Sequence, residues 1–258
     1  MSIFQSCKLL LFTGISLFVV SGCGVAMMSD EHLARKSKAQ FTQMKKKDPV
    51  SQNANYQKMV ERIGKRITDV AKVDVPGTEW EFVVFEKSEP NAFAMPGGKV
   101  GVNAGLIELA NEDEDEIAAV IGHEVAHVAR RHSNKRVSQG VGVALGGIIL
   151  ETAMSNKSSG DRALARGAYG VGATLGAVLP FSRSQEREAD ELGLIYTAKA
   201  GYDPRASIRF WQKMQSRSRR KMPQFLSTHP DSGNRIQFLQ TKMPYAMTLF
   251  RNAKNTRG

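Results

Sequence analysis

One segment of this 258-residue chain has residue types and spacing that could do chemistry: Ile121-Gly122-His123-Glu124-Val125-Ala126-His127. On a helix, residues four apart lie about 400° round the axis, so His123 and His127 project from one face, one turn apart, and can both bind a single zinc ion. Glu124, rotated by about 100° from His123, can flank that ion and take a proton from water. A catalytic zinc site usually has three protein ligands and one position for water, so a third ligand must come from another element. The segment Ser182-Arg183-Ser184-Gln185-Glu186-Arg187-Glu188-Ala189-Asp190 offers it. Glu186 is the expected ligand, and Asp190, one turn later, is expected to accept the free ring N–H of His123 and fix its tautomer. Glu188 lies about 200° from Glu186 and is not expected to join them. His132, about 140° off the metal face if the helix continues, and His32 are expected at the surface.

The elements that must position these residues follow from periodicity. Tyr56, Met59, Val60, Ile63, Ile67 and Val70 recur at three- and four-residue steps, one apolar face of a helix that Pro76-Gly77 closes. Trp80 to Phe85 and Lys99 to Asn103 read as strands, with Pro96-Gly97-Gly98 as a turn, so two or three strands fit there. From Asn111 onward the signals are helical: Asp113 to Arg131, a Gly-rich pair of segments reaching Leu179, Arg183 to Ala200, a helix N-capped by Asp203, and a last helix from about Asp231. The Gly-rich segments, Gly140 to Leu150 and Gly167 to Leu179, are too short to span a membrane and read as a soluble helical hairpin. The expected class is α+β: a mostly helical domain with a small sheet and the His-Glu-x-x-His segment on a helix.

The chain start has a different character. Lys8 precedes the apolar run Leu9 to Val20 and then Ser21-Gly22-Cys23. That run is shorter than the roughly 20 residues a spanning helix needs and reads as a removable signal over 1–22. Val20-Ser21-Gly22-Cys23 resembles a bacterial lipobox, which makes Cys23 a lipid anchor, and Gly24 in place of Asp points to the outer membrane, periplasmic side. Residues 23–48 are expected to form a tether and basic helix, 49–250 the main domain and 251–258 a frayed tail. The formal charge is +11. Export and an aromatic content of only 7% argue against a nucleic-acid partner, and the only two cysteines, both within the first 23 residues, cannot build a disulfide scaffold.

Five ordered pieces carry a family resemblance: Asn91-Ala92-Phe93-Ala94-Met95-Pro96-Gly97-Gly98, His123 to His127, Phe181-Ser182-Arg183 with Glu186 to Asp190, Ala200-Gly201-Tyr202-Asp203-Pro204, and Thr228-His229-Pro230-Asp231 with Arg235-Ile236. From about Asn55 to Leu239 the chain resembles the HtpX-, BepA- and LoiP-type zinc metalloproteases, gluzincins related to the CAAX prenyl endopeptidases, and with its lipobox it is most similar to the LoiP-like lipoproteins. The resemblance implies a zincin-type fold, one zinc ion on His123, His127 and Glu186, and catalysis by Glu124.

The activity expected is endoproteolysis of misfolded or unassembled envelope proteins. The segment Asn91, Ala92, Phe93 and Ala94 is read as an edge strand that pairs with unfolded or extended polypeptide. The alternative is a zinc-gated chaperone or assembly factor for outer-membrane proteins; a purely structural zinc protein is disfavoured by the intact Glu124. His229, Tyr202 and Arg235 are candidate oxyanion donors by position. His229 lies in a loop-like stretch that reads as mobile. The resemblance to BepA-type proteases suggests that it can fill the open zinc position as a gate, and a histidine that caps the following helix is the third reading.

Overall fold

The computed structural model describes residues 29–173, 182–218, 223–230 and 233–255. The signal segment, Cys23, Gly24, the end of the second Gly-rich segment and Asp231 lie outside the described residues. In chain order the elements are α1 (Asp30–Lys47), α2 (Ala54–Ala71), β1 (Glu81–Phe85), β2 (Ala92–Met95), β3 (Lys99–Asn103), α3 (Ala104–Leu109), α4 (Glu114–Ala129), α5 (His132–Ala153), α6 (Ser159–Ala173), α7 (Arg183–Lys199), α8 (Ala206–Ser218), α9 (Gln224–Thr228) and α10 (Arg235–Asn255). The described residues are mostly helical with one three-stranded sheet, the expected α+β class.

The sheet order is β1-β3-β2, with β1 parallel and β2 antiparallel to β3. The turn Pro96-Gly97-Gly98 joins β2 to β3, and Gly97 and Gly98 take φ of 81° and 80°, a region that a side chain disfavours. The outer edge of β1 is covered by the segment before α2: Val50 bridges Phe85, and the Ser51 N–H donates to the Val84 carbonyl. The outer edge of β2 instead faces α4, where the Ala94 N–H donates to Glu124 at 3.1 Å. Of the segment read as an edge strand, Ala92 to Ala94 lie on this edge with Ala92 buried, and Asn91 stands just ahead of the strand, its carbonyl accepting from Asn103 N.

Helix α2 packs its stripe of Val60, Ile63, Ile67 and Ala71, all fully buried, against α4 and β1. Each isoleucine contributes about 2–5 kcal/mol relative to alanine. Helix α4 is buried nearly all round, from Glu116 to His127, and lies between α2, α7 and α8. It meets α7 at unusually short range. A Cβ on Gly193 would stand 2.8 Å from the N and Cα atoms of His123, and one on Gly122 would stand 2.9 Å from the Gly193 carbonyl oxygen. Only glycine lets these two backbones touch, and they touch beside His123.

Within the segment expected as tether and basic helix, α1 buries Leu33, Ser37 and Phe41, and Phe41 meets Phe85 and Phe93 edge-on at 6.0 and 6.3 Å. Two expectations change. The end does not fray at Arg251, because α10 continues to Asn255 and buries Phe250. The helix expected to run to Arg131 stops at Ala129; Arg131 adopts φ 55°, ψ 33° and α5 starts at His132. Helices α5 and α6 pack on one another as the expected hairpin, with Tyr169 lying over Gly146. No helix among the described residues is long and apolar enough to cross a membrane.

Candidate metal centre

Two helices deliver the chemistry because their first turns are fixed. Asp113 caps α4 by accepting from Asp115 N and Glu116 N. Ser182 and Gln185 form a capping box on α7, which places Glu186 in the first turn, where the helix dipole favours a carboxylate. The five-residue α9 ends at His229, whose N–H donates to the Phe225 carbonyl at 2.8 Å.

These elements bring His123, His127, Glu186 and His229 together, all buried, with one ligand atom from each lying within 4.8 Å of the others. The individual separations are shorter: His123 Nε2 to His127 Nε2 3.0 Å, His123 Nε2 to His229 Nδ1 3.2 Å, His229 Nδ1 to Glu186 Oε1 3.2 Å, and His127 Nε2 to Glu186 Oε1 3.4 Å. Nitrogen and oxygen ligands at the corners of a tetrahedron round zinc would be about 3.3 Å apart. Four edges of the cluster therefore have the size of a tetrahedral site.

Glu124 stands beside the cluster. One carboxylate oxygen, Oε2, accepts from Ala94 N. The other, Oε1, is buried, lies 3.2 Å from His229 Nε2 and has no aligned hydrogen-bond partner. Burial raises the Glu124 pKa, against the opposing pull of the histidines. Asp190 Oδ1 lies 3.1 Å from His123 Nδ1, in the expected place though off the line of a hydrogen bond. Burial by itself would lower the His123 pKa, but Asp190 and Glu186 outweigh it and raise the imidazole to about 9. His127 goes the other way, driven well below its ordinary value by burial. Burial opposes ionisation of Glu186, but the three imidazoles around it more than compensate and hold its pKa far below the usual carboxylate range.

Arg235 completes the floor. Its Nε donates to Asp190 Oδ2 at 2.7 Å, its Nη2 to Glu186 Oε2 and its Nη1 to the His229 carbonyl at 3.4 Å, while the guanidinium carbon sits 3.8 Å from the Trp211 ring centre. With Oε2 held by Arg235, Glu186 presents Oε1 to the cluster. Arg235 is thus committed to carboxylates, which removes it as an oxyanion donor. Tyr202 is not brought to the site: its ring covers Arg66 at 4.2 Å.

The expectation for His132 is overturned. It is fully buried, its Nδ1 2.9 Å from His127 Nδ1 and its Nε2 3.2 Å from Glu188 Oε2. An offset of about 140° holds only on an unbroken helix, and no Gly or Pro marks the break, because it is Arg131 that takes the left-handed conformation. Glu188 stays out of the cluster, as expected, yet is linked to it through His132. The mobile reading of His229 also changes: α9 and Arg235 hold it, and it is 2% exposed. Beyond His127 a cavity of about 630 Å³ opens between α1, the β2–β3 turn and the end of α4.

The family profile for peptidase family M48 matches residues 54–243, most of the chain and the whole of the cluster. The chain belongs to peptidase family M48. Its similarity to individual members is consistent with that. It is 35% identical over 189 residues to the mitochondrial metalloendopeptidase OMA1 of Schizosaccharomyces pombe, covering 72% of this chain and 53% of that protein. It is 33% identical over 186 residues to the mitochondrial metalloendopeptidase OMA1 of Homo sapiens, covering 68% and 35%. It is 29% identical over 206 residues to the beta-barrel assembly-enhancing protease of Yersinia pestis, covering 75% and 40%. The chain spans about half the length, or less, of these M48 relatives.

Proposed function

We propose that this M48 chain is a zinc-dependent endopeptidase, with one zinc ion held by His123, His127 and Glu186 and with Glu124 as the catalytic base. The observation that carries this reading is the near-tetrahedral set of donor atoms beside a buried carboxylate oxygen, Glu124 Oε1, that has no aligned partner. Two neutral imidazoles and a carboxylate suit zinc, which accepts nitrogen and oxygen donors in tetrahedral geometry. Zinc, when bound, polarises a scissile carbonyl and makes water nucleophilic near neutral pH. Glu124 Oε1 takes the proton of the attacking water and hands it to the leaving amide nitrogen. The outer edge of β2, through the backbone of Ala92 and the carbonyl of Ala94, whose N–H holds Glu124, pairs with an extended peptide and holds it across the site, a contact that reads backbone more than sequence.

His229 is placed in this reading as a gate. Its Nδ1 occupies the corner where water would enter, and its Nε2 stands over the base, so the arrangement described is a closed one. Cleavage then requires α9 and the His229 carbonyl to release from Arg235. Misfolded or unassembled envelope proteins, which offer extended segments, are the proposed substrates. The beta-barrel assembly named for the Yersinia relative supports an envelope setting. The lipobox ending at Cys23, followed by Gly24, supports anchoring on the periplasmic face of the outer membrane.

Peptide cleavage by the wild type and by Glu124→Gln, with zinc content measured in both, tests the reading. Loss of cleavage with one zinc per chain retained is expected; cleavage that survives the substitution contradicts it. Glu186→Gln is expected to lose both zinc and cleavage. For the anchor, Cys23→Ala is expected to leave the protein unprocessed or released on fractionation, and normal processing with membrane retention contradicts it.

A further inference from the structure

The two histidines of the His-Glu-x-x-His segment are aimed by different groups. His123 Nδ1 faces the Asp190 carboxylate at 3.1 Å, itself neutralised by Arg235. His127 Nδ1 faces another imidazole, His132 Nδ1, at 2.9 Å, and His132 Nε2 faces Glu188 Oε2 at 3.2 Å. We propose that His132, backed by Glu188, is the positioning residue for the zinc ligand His127. This rests on the zinc reading above.

The direction of the chain is forced. A zinc ion on His127 Nε2 leaves the proton of that ring on Nδ1, which must be donated. The atom facing it is His132 Nδ1, so that nitrogen must present its lone pair and His132 must carry its own proton on Nε2. That N–H points at Glu188, a side chain that keeps 47% of its surface exposed. Each N–H then has an acceptor, from zinc ligand to surface carboxylate, and His132 is held in one tautomer. The fold builds the arrangement at a local cost. Arg131 takes φ 55° between α4 and α5, a conformation that non-glycine residues seldom adopt and that turns His132 back beneath His127. Asp30 of α1 fixes this turn, pairing with Arg131 at 2.8 Å and accepting from Asn134 Nδ2 at 2.6 Å. The α4–α5 turn is therefore shaped by the N-terminal helix as well as by its own residues.

Partners that orient a metal ligand typically contribute about 10–100-fold to metal affinity. His132→Phe keeps a flat ring in the buried site and removes the acceptor. Chelator competition is expected to give zinc binding about 10–100-fold weaker than the wild type, with the melting curve of the metal-free protein little changed. Glu188→Ala, at a half-exposed position, is expected to weaken zinc in the same direction by up to about tenfold. In zinc-loaded wild type, nitrogen NMR of the imidazoles is expected to show His132 protonated on Nε2 and His127 on Nδ1, a signature that a merely space-filling His132 would not produce. Zinc affinity of a folded His132→Phe variant within about twofold of the wild type overturns the proposal. So does a His132 proton found on Nδ1, a measurement on the wild type that stands even if the variant does not fold. A wild type that binds no zinc overturns the zinc reading instead, and with it the premise.

Discussion

The α4–α7 contact, with one glycine on each helix, and the glycine-rich α5–α6 hairpin use glycine differently. At Gly122 and Gly193 the backbones touch, every added Cβ would collide with backbone, and the contact lies beside His123. Among the described residues of the hairpin, Gly140, Gly142, Gly167 and Gly170 have nothing within 4 Å of the position a Cβ would take, and Gly146 and Gly147 lie against Tyr169. Leu145, Ile148, Ile149 and Leu164 are exposed there. Glycine spacing in a sequence therefore says that two helices can approach closely. Whether they do depends on what else the pair must bring together. In α4–α7 that is a carboxylate from one helix and two imidazoles from the other.

The largest effect should come from Arg235, whose guanidinium neutralises Glu186 and Asp190 inside the α4–α7 core. Arg235→Leu leaves two buried carboxylates with protonated His123 as the cation between them and should destabilise the metal-free protein by about 3 kcal/mol in denaturant unfolding; a loss below about 1 kcal/mol would show that the pair is not dependent on it. Next comes Gly193→Ala, which must push α7 away from His123. It should cost about 1–3 kcal/mol by overpacking and lower zinc affinity, because Glu186 moves with α7. A variant with normal stability and zinc affinity would disprove the claim that this contact sets the site. The mirror experiment in the hairpin, Gly142→Ala, should be neutral or stabilising by about 0.5–1 kcal/mol, since it improves helix propensity in open space. Destabilisation there would mean that the hairpin is as tightly packed as the core.

A pH titration sharpens the same contrast, because the core holds the shifted groups. In the metal-free protein, folded His123 binds its proton more tightly than the unfolded chain does. Its contribution to stability is fully present below about pH 6.5 and is lost as pH rises through about 9. With zinc on the ring that proton is absent, so the alkaline loss should vanish. Melting temperatures of the metal-free and zinc-loaded forms between pH 6 and 10 check this, and parallel curves would contradict it.

The difference between the regions also explains what could be read from the sequence. His123, Glu124, His127, Glu186 and Asp190 were legible because they sit on long helices where angular spacing translates directly into a shared face. A sheet of two or three strands was legible from the turn at Pro96-Gly97-Gly98, the edge strand at Asn91 to Ala94 entered only with the family resemblance, and the bond from Ala94 N to Glu124 is a tertiary fact with no local signal. His132 was not legible because the break at Arg131 carries no Gly or Pro, and one left-handed residue resets the angular register of the helix that follows. His229 was read as loose because a five-residue helix such as α9 is too short to show a period. The packing role of α1 was hidden behind its lysines, with only Leu33 and Phe41 as buried apolar anchors.

The central claim is that the buried cluster is a zinc site whose fourth corner is filled by His229. X-ray absorption at the zinc edge of the loaded wild type tests it most directly. The account predicts one zinc per chain with four nitrogen or oxygen neighbours at about 2.0–2.1 Å, three of them imidazoles, from His123, His127 and His229. A spectrum with only two imidazoles would contradict the closed gate, and one with none, or a protein that takes up no zinc, would contradict the site itself.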